Sequence, residues 1–271
     1  MTEARITMDI DLKRANEQLL EMDALDRMQW TADTFGEGAV LISSMQKTSS
    51  VIMHLFHRLG LDNEILFVDT GFHFHQTLTL RDQFMRRYSL NLLTIYPQET
   101  PEQQEERFGC KLYKSTDGQP ICCYLRKVKP FIDHMKVKGR TAVLGGLRRS
   151  EGGARARLDA IAEDLRFGGY RIHPLVDWED GMVEAYLADH DVPVNPLHHR
   201  CYPSIGCQCC TTAVSPGEDV RAGRWRHLRE GGGAKPVFCG MNFSEAQPVP
   251  PQNPSGPPGG RGVRRGPARG A

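Results

Sequence analysis

Two groups of cysteines, the tandem Cys122-Cys123 and the run Cys207-Gln-Cys-Cys210, constrain this chain more than any other feature. They lie far apart in sequence and meet only if the chain folds back on itself. Brought together, they supply the four thiolates that an iron–sulfur cluster or a structural zinc site requires. The tandem pair helps to separate these options. Zinc sites usually draw on C-x-x-C-type knuckles that aim both sulfurs at one ion. Adjacent residues on a helix diverge by about 100°, so neighbouring thiols converge poorly on one metal but can each reach a different iron. A [4Fe–4S] cluster is the favoured reading, with zinc and unligated core thiols as the alternatives.

The pattern around the cysteines predicts an α/β fold with a mainly parallel sheet and helices on both faces. Apolar runs at 39–42, 65–68, 90–95 and 141–144 read as strands, with a short fifth at 170–174. Helical patterns at 48–59 and 73–88 separate them, and residues 10–30 read as one amphipathic helix. Ligands on such sheets bind beyond the carboxyl ends of the strands, so the loops after Ile42, Val68 and Leu144 carry the most information. The expected organisation is an N-terminal helical segment (1–35), a nucleotide- and cluster-binding domain (36–230), a mobile segment (231–243) and a disordered tail (244–271). The tail is rich in Pro and Gly with a few arginines, too poor in apolar groups to offset the entropy of ordering.

Charge and hydropathy exclude several classes. A formal net charge of +1 gives no bulk attraction to nucleic acid or membrane. No run approaches the ~18 apolar residues of a membrane-spanning helix, and the charged N-terminal region lacks a signal-peptide core. Eight cysteines without an export signal read as metal ligands or reactive thiols rather than disulfides. The expected compartment is the cytoplasm.

Several loops carry candidate chemistry. Residues 43–50 (SSMQKTSS) join a strand to a helix, where free N–H groups favour an anion; ordinary helix capping is the competing reading. Its spacing is not that of a Walker loop. Ser43, Ser44, Gln46 and Ser49 are its candidate contacts. Asp69 follows the second strand as either a helix cap or a nucleotide contact. Arg148 and Arg149 follow the fourth strand and suit phosphate or sulfate, against a surface salt-bridge alternative. Lys127 lies just after the first cysteine group, and Arg221 and Arg224 shortly after the second. Cations there can offset cluster charge or meet an anionic substrate, or they can be solvated. Cys239 sits between Gly231-Gly-Gly233 and Gly240, either a nucleophile or a free surface thiol. His54 and His57 read as structural.

Together these segments resemble the assimilatory sulfonucleotide reductases. The similarity rests on residues 122–127 (CCYLRK), 202–207 (YPSIGC) continuing through Cys210-Thr211, 217–225 (GEDVRAGRW) and 67–74 (FVDTGFHF). Asn195-Pro-Leu-His198 and Gly146-Leu-Arg-Arg149 also fit, and the match spans about 35–243. The resemblance implies an adenine-nucleotide α-hydrolase-like fold with residues 43–50 as a modified phosphate loop. It implies a [4Fe–4S] cluster on Cys122, Cys123, Cys207 and Cys210, and Cys239 as catalytic nucleophile. The implied substrate is adenylyl sulfate (APS), with its 3′-phosphorylated form (PAPS) as the alternative. Thioredoxin or a similar dithiol is the implied reductant, and a homo-oligomer is compatible with it. The terminal motif departs from the family: Cys239-Gly240 is retained without the usual acid before it and histidine after it. Cys201 and Cys209 stand where the family usually has Gly and Pro. A non-catalytic iron–sulfur sensor and an ATP-using, RNA-thiolating enzyme are the readings from other classes; the absence of an SGGxDS loop counts against the latter.

Overall fold

The computed structural model describes residues 9–229. Cys239, the segment 231–243 and the tail 244–271 lie outside the described residues. Along the chain run α1 (Leu12–Leu20), α2 (Ala24–Phe35), β1 (Ala39–Ser43), α3 (Lys47–Leu59), β2 (Ile65–Val68), α4 (His75–Arg87), β3 (Leu92–Ile95) and α5 (Pro101–Phe108). They are followed by α6 (Gly118–Cys123), a π-helical turn (Tyr124–Val128), α7 (Lys129–Val137), β4 (Ala142–Leu144), β5 (Ile161–Asp164), β6 (Gly169–Ile172), α8 (Asp180–Asp189) and the short α9 (Arg226–Arg229).

The strands form one sheet in the order β3-β2-β1-β4-β6-β5, parallel except for the antiparallel β5–β6 pair. Alternation along each strand feeds two cores. Ala39, Leu41, Ile65, Phe67, Ala142 and Leu144 face one core, which also takes Leu19 of α1, Met28 of α2, Phe56 of α3, Phe84 of α4 and Leu187 of α8. Val40, Leu66, Val68 and Val143 face the other, closed by Val128, Phe131 and Met135 at the π turn and α7. Consecutive parallel strands buried on both faces explain the short, continuous apolar runs in the sequence.

The structure corrects the expected single helix over 10–30. The chain breaks at Asp23, whose extended backbone and carboxylate cap α2 by accepting the Asp26 N–H at 2.9 Å. Both helices join the core on their side of the sheet, so the N-terminal segment is continuous with the α/β unit. Antiparallel β5 was not among the expected strands; its sequence, IAED, has no continuous apolar run. β1 is paired with β2 on one side and β4 on the other, and the loops after β1 and β4 open together. That crevice is the topological switch point of an α/β sheet.

Candidate active site

At the switch point lies a cleft of about 520 Å³. The loop after β1 forms one wall. Met45 there adopts a left-handed backbone, φ 54°. The Ser44 N–H donates to Ser49 Oγ at 3.1 Å, and the Ser44 and Ser49 hydroxyls are 2.9 Å apart. Gln46 Oε1 accepts the Ile205 N–H at 3.0 Å, tying this loop to the segment that carries Cys207. The other walls come from Gly145-Gly146 after β4, Lys127, Arg171 and residues 203–206 and 219–221. Gly146 is needed for close approach: a Cβ there would lie 2.9 Å from Thr48 Oγ1.

Among the described residues seven lysine and arginine side chains line the cleft against four carboxylates, a field that favours an anionic ligand. Three of the cations pair with carboxylates that line the cleft themselves: Lys47 with Glu184 at 2.5 Å, Arg148 with Asp180 at 2.5 Å and Arg155 with Glu151 at 2.8 Å.

The thiols gather in an adjoining pocket. Cys122 and Cys123 end α6, while Cys207, Cys209 and Cys210 arrive on the later segment, and all five line it. The later segment is held against the loop after β2, where Gln208 N–H donates to Phe72 C=O at 2.7 Å and His73 forms a bridge with Cys207. The π turn directly after the pair brings Arg126 and Lys127 to the same pocket; such turns recur at functional sites. Gln119 Nε2 donates to Cys123 Sγ at 2.9 Å, and Gln104 Nε2 to Cys122 Sγ at 3.7 Å. Thr70 Oγ1 lies 3.4 Å from Cys207 Sγ.

Burial pushes the Cys122 thiol up to about 12 and raises Cys207. Contact with Cys209, then burial, raises Cys210. Soft thiols in such a place are held neutral unless a cation stabilises their thiolates. Among the described residues no three His, Cys, Asp or Glu side chains are close enough to hold a metal ion. Five thiols with neighbouring amide and hydroxyl groups line one pocket, a soft donor set of the kind that suits an iron–sulfur cluster.

Lys127 and Arg224 line both the cleft and the thiol pocket. Arg224 lies over the Trp225 ring, 4.5 Å from its centroid, and donates to Ile205 C=O at 3.2 Å. Of the other sequence candidates, Ser43, Ser44, Gln46, Ser49, Arg148 and Arg221 also line the cleft. Asp69 does not. It accepts the Gly71 N–H at 2.9 Å and lies 3.9 Å from Arg81, stabilising its own turn. Arg149 turns away and donates to Leu158 C=O at 2.7 Å. Sequence reasoning did not single out Arg171, Gln104 or Gln119. Gln119 had a readable signal, since it stands four residues before Cys123 on a helix.

Residues 38–213 match the phosphoadenosine phosphosulfate reductase domain. A protein of Halalkalibacterium halodurans named adenosine 5′-phosphosulfate reductase is 36% identical over 238 residues, covering 87% of this chain and 98% of that one. Among solved structures, the phosphoadenylyl-sulfate reductase of Candida auris, determined as a phosphate complex, superposes with a TM-score of 0.68 at 26% identity. That match covers 78% of this chain and 100% of the other. The FMN adenylyltransferase of Candida glabrata superposes at a TM-score of 0.52 and 15% identity, over 75% of this chain and 66% of the other, a likeness of fold alone.

Proposed function

The chain belongs to the phosphoadenosine phosphosulfate reductase family, and from that premise we propose that it reduces adenylyl sulfate to sulfite and AMP with electrons from a dithiol. Membership makes it an oxidoreductase acting on the sulfur group of a sulfonucleotide in sulfate assimilation. The finer statements are our reading. The observation that carries it is the shared wall of Lys127 and Arg224, which links a cation-rich cleft to a thiol-lined pocket.

The nucleotide occupies the cleft, with its phosphosulfate toward Lys127, Arg221 and Arg224. Cys239, in the segment beyond the described residues, attacks the sulfonyl sulfur as thiolate. The bond from that sulfur to the phosphate oxygen breaks, and AMP leaves. Cys239 is left as S-sulfocysteine. A thiolate of thioredoxin, or of a similar dithiol, then attacks the Cys239 sulfur and expels sulfite. The second reductant thiol resolves the mixed disulfide, so the dithiol supplies both electrons. A thiolate approaching a doubly charged phosphosulfate needs cations in place, which is the work of the shared wall.

Cys122, Cys123, Cys207 and Cys210 would hold a [4Fe–4S] cluster. When bound, it supplies positive charge that keeps these buried sulfurs as thiolates and ties α6 to the 207–210 segment. Gln104, Gln119 and Thr70 orient the sulfurs. The adenosine 5′-phosphosulfate reductase relatives and the complete cysteine set support APS as the preferred nucleotide.

Incubating the anaerobic protein with APS and no reductant, followed by peptide mass spectrometry, tests this reading. A sulfo group on Cys239, absent from Cys239→Ser, is the expected result. The same group on Cys110, Cys201 or Cys209 would overturn the role of Cys239.

A further inference from the structure

The β6 side of the cleft carries a cation to which the reaction above gives no task. Arg171 is 4% exposed yet lines the cleft. Its Nε and Nη2 donate to Asp164 Oδ2 at 3.1 and 2.8 Å. Asp164 is fully buried and also accepts from Arg166 Nε at 2.7 Å. One carboxylate is thus divided between two guanidinium groups. Burying an ion pair seldom gains stability over apolar packing, so stability is a weak reason for a guanidinium at this position.

The geometry supplies another reason. The acids that pair with the other compensated cations line the cleft themselves, whereas Asp164 lies behind Arg171 and outside it. Asp164 takes one edge of the guanidinium through Nε and Nη2, and among the described residues Nη1 makes no hydrogen bond. Nη1 lies beside Gly145, 3.8 Å from where a Cβ would begin. Residue 145 also lines the cleft and, being glycine, places no side chain of its own beside that edge. A planar guanidinium held by a carboxylate on one edge is preorganised to receive a phosphate on the other.

We infer that Arg171 is an anion-binding residue of the nucleotide cleft, that its Nη1 edge receives a phosphate oxygen of the nucleotide, and that Asp164 positions it. The inference rests on the sulfonucleotide reading of the same cleft. The phosphate oxygen can come from the 5′- or the 3′-position, and the two sources are separable.

The test is calorimetric titration of the full chain with adenosine, AMP and adenosine 3′,5′-bisphosphate, for the native protein and for Arg171→Met, Arg171→Lys and Asp164→Asn. Loss of a charge-assisted contact predicts about a tenfold or greater weakening of phosphorylated ligands in Arg171→Met. Adenosine affinity stays within about twofold, because no charged contact to it is lost. A loss common to AMP and the bisphosphate assigns the 5′-phosphate; a loss confined to the bisphosphate assigns the 3′-phosphate. Asp164→Asn keeps the cation but frees it, and weakens the same ligands to a smaller degree. Arg171→Lys, which keeps charge without the fork, gives the same selectivity of loss and carries the test if the Met variant does not fold. Equal losses for adenosine and AMP, or no loss in any variant, overturn the inference. A native protein that binds none of the three ligands overturns instead the reading on which it rests.

Discussion

Cys209 Sγ lies 3.8 Å from Cys210 Sγ, and both line the thiol pocket. This places a fifth thiol beside the proposed ligand set and makes the assignment testable residue by residue. Serine at Cys122, Cys123, Cys207 or Cys210 should abolish iron binding, whereas Cys209→Ser should retain about four irons per chain, as one cubane cluster requires. Iron analysis and the visible spectrum of anaerobic protein decide this; loss in Cys209→Ser with retention in Cys210→Ser would exchange the two. Arg224 offers a second residue-scale test. A Cβ on Gly206 would lie 2.2 Å from Arg224 Nη2, so Gly206→Ala should displace that side chain. Arg224→Ala should raise the barrier by about 2–4 kcal/mol if the cation meets developing charge, and Gly206→Ala should lower kcat/KM in the same direction with iron content unchanged. Unchanged kinetics in both variants would remove Arg224 from the reaction. Cys122, Cys123, Cys207, Cys210, Lys127, Arg221 and Arg224 could be picked out as candidates because each lies beside another in a short motif, and the structure lines the thiol pocket or the cleft with them. Arg171 could not, because its partner Asp164 belongs to a strand with no continuous apolar run.

At the scale of elements, the site depends on joins between segments distant in sequence. Gln46 at the entry to α3 accepts the Ile205 N–H, and Asn195 donates to Thr77 Oγ1 at 3.0 Å while accepting the Leu197 N–H. Gln46→Leu leaves that N–H without its acceptor, at a cost of about 1–3 kcal/mol. It should weaken AMP binding measured by calorimetry while leaving secondary structure unchanged by circular dichroism; unaltered affinity would mean that the join does not shape the cleft. Strands β1, β2 and β4 and helices α3 and α4 were readable because apolar runs alternated with helical periodicity. The break between α1 and α2 was missed because amphipathic periodicity outweighed the cap at Asp23. The π turn was missed because a change from four- to five-residue hydrogen bonding leaves no mark on hydrophobic spacing. Asp69 and Arg149 looked like site residues by their loop positions, but local bonds turn them elsewhere.

At the scale of the whole molecule, His54 and His173 are buried and His198 is half-buried. Burial lowers His54 and His198 to about 4 and His173 to about 3. In the unfolded chain each titrates near 6.5, so between that value and the folded one the unfolded state binds more protons. Stability therefore falls as pH drops below about 6.5, by up to about 1.4 kcal/mol per pH unit for each proton. Burial also pushes Asp164 up, but Arg166 and Arg171 outweigh it and hold the carboxyl low, so its loss comes only at stronger acidity. A Tm that declines between about pH 7 and 5 is the expected outcome, and a flat profile would contradict neutral burial of these rings. Among the described residues no helix is long and apolar enough to cross a membrane. The central claim concerns chemistry, and turnover tests it most directly. Anaerobic protein given APS and reduced thioredoxin should release sulfite and AMP in equal amounts. PAPS should react with a lower kcat/KM, and Cys239→Ser should release nothing from either nucleotide. Sulfite release undiminished in Cys239→Ser, or none from either nucleotide with the native protein, would contradict the account.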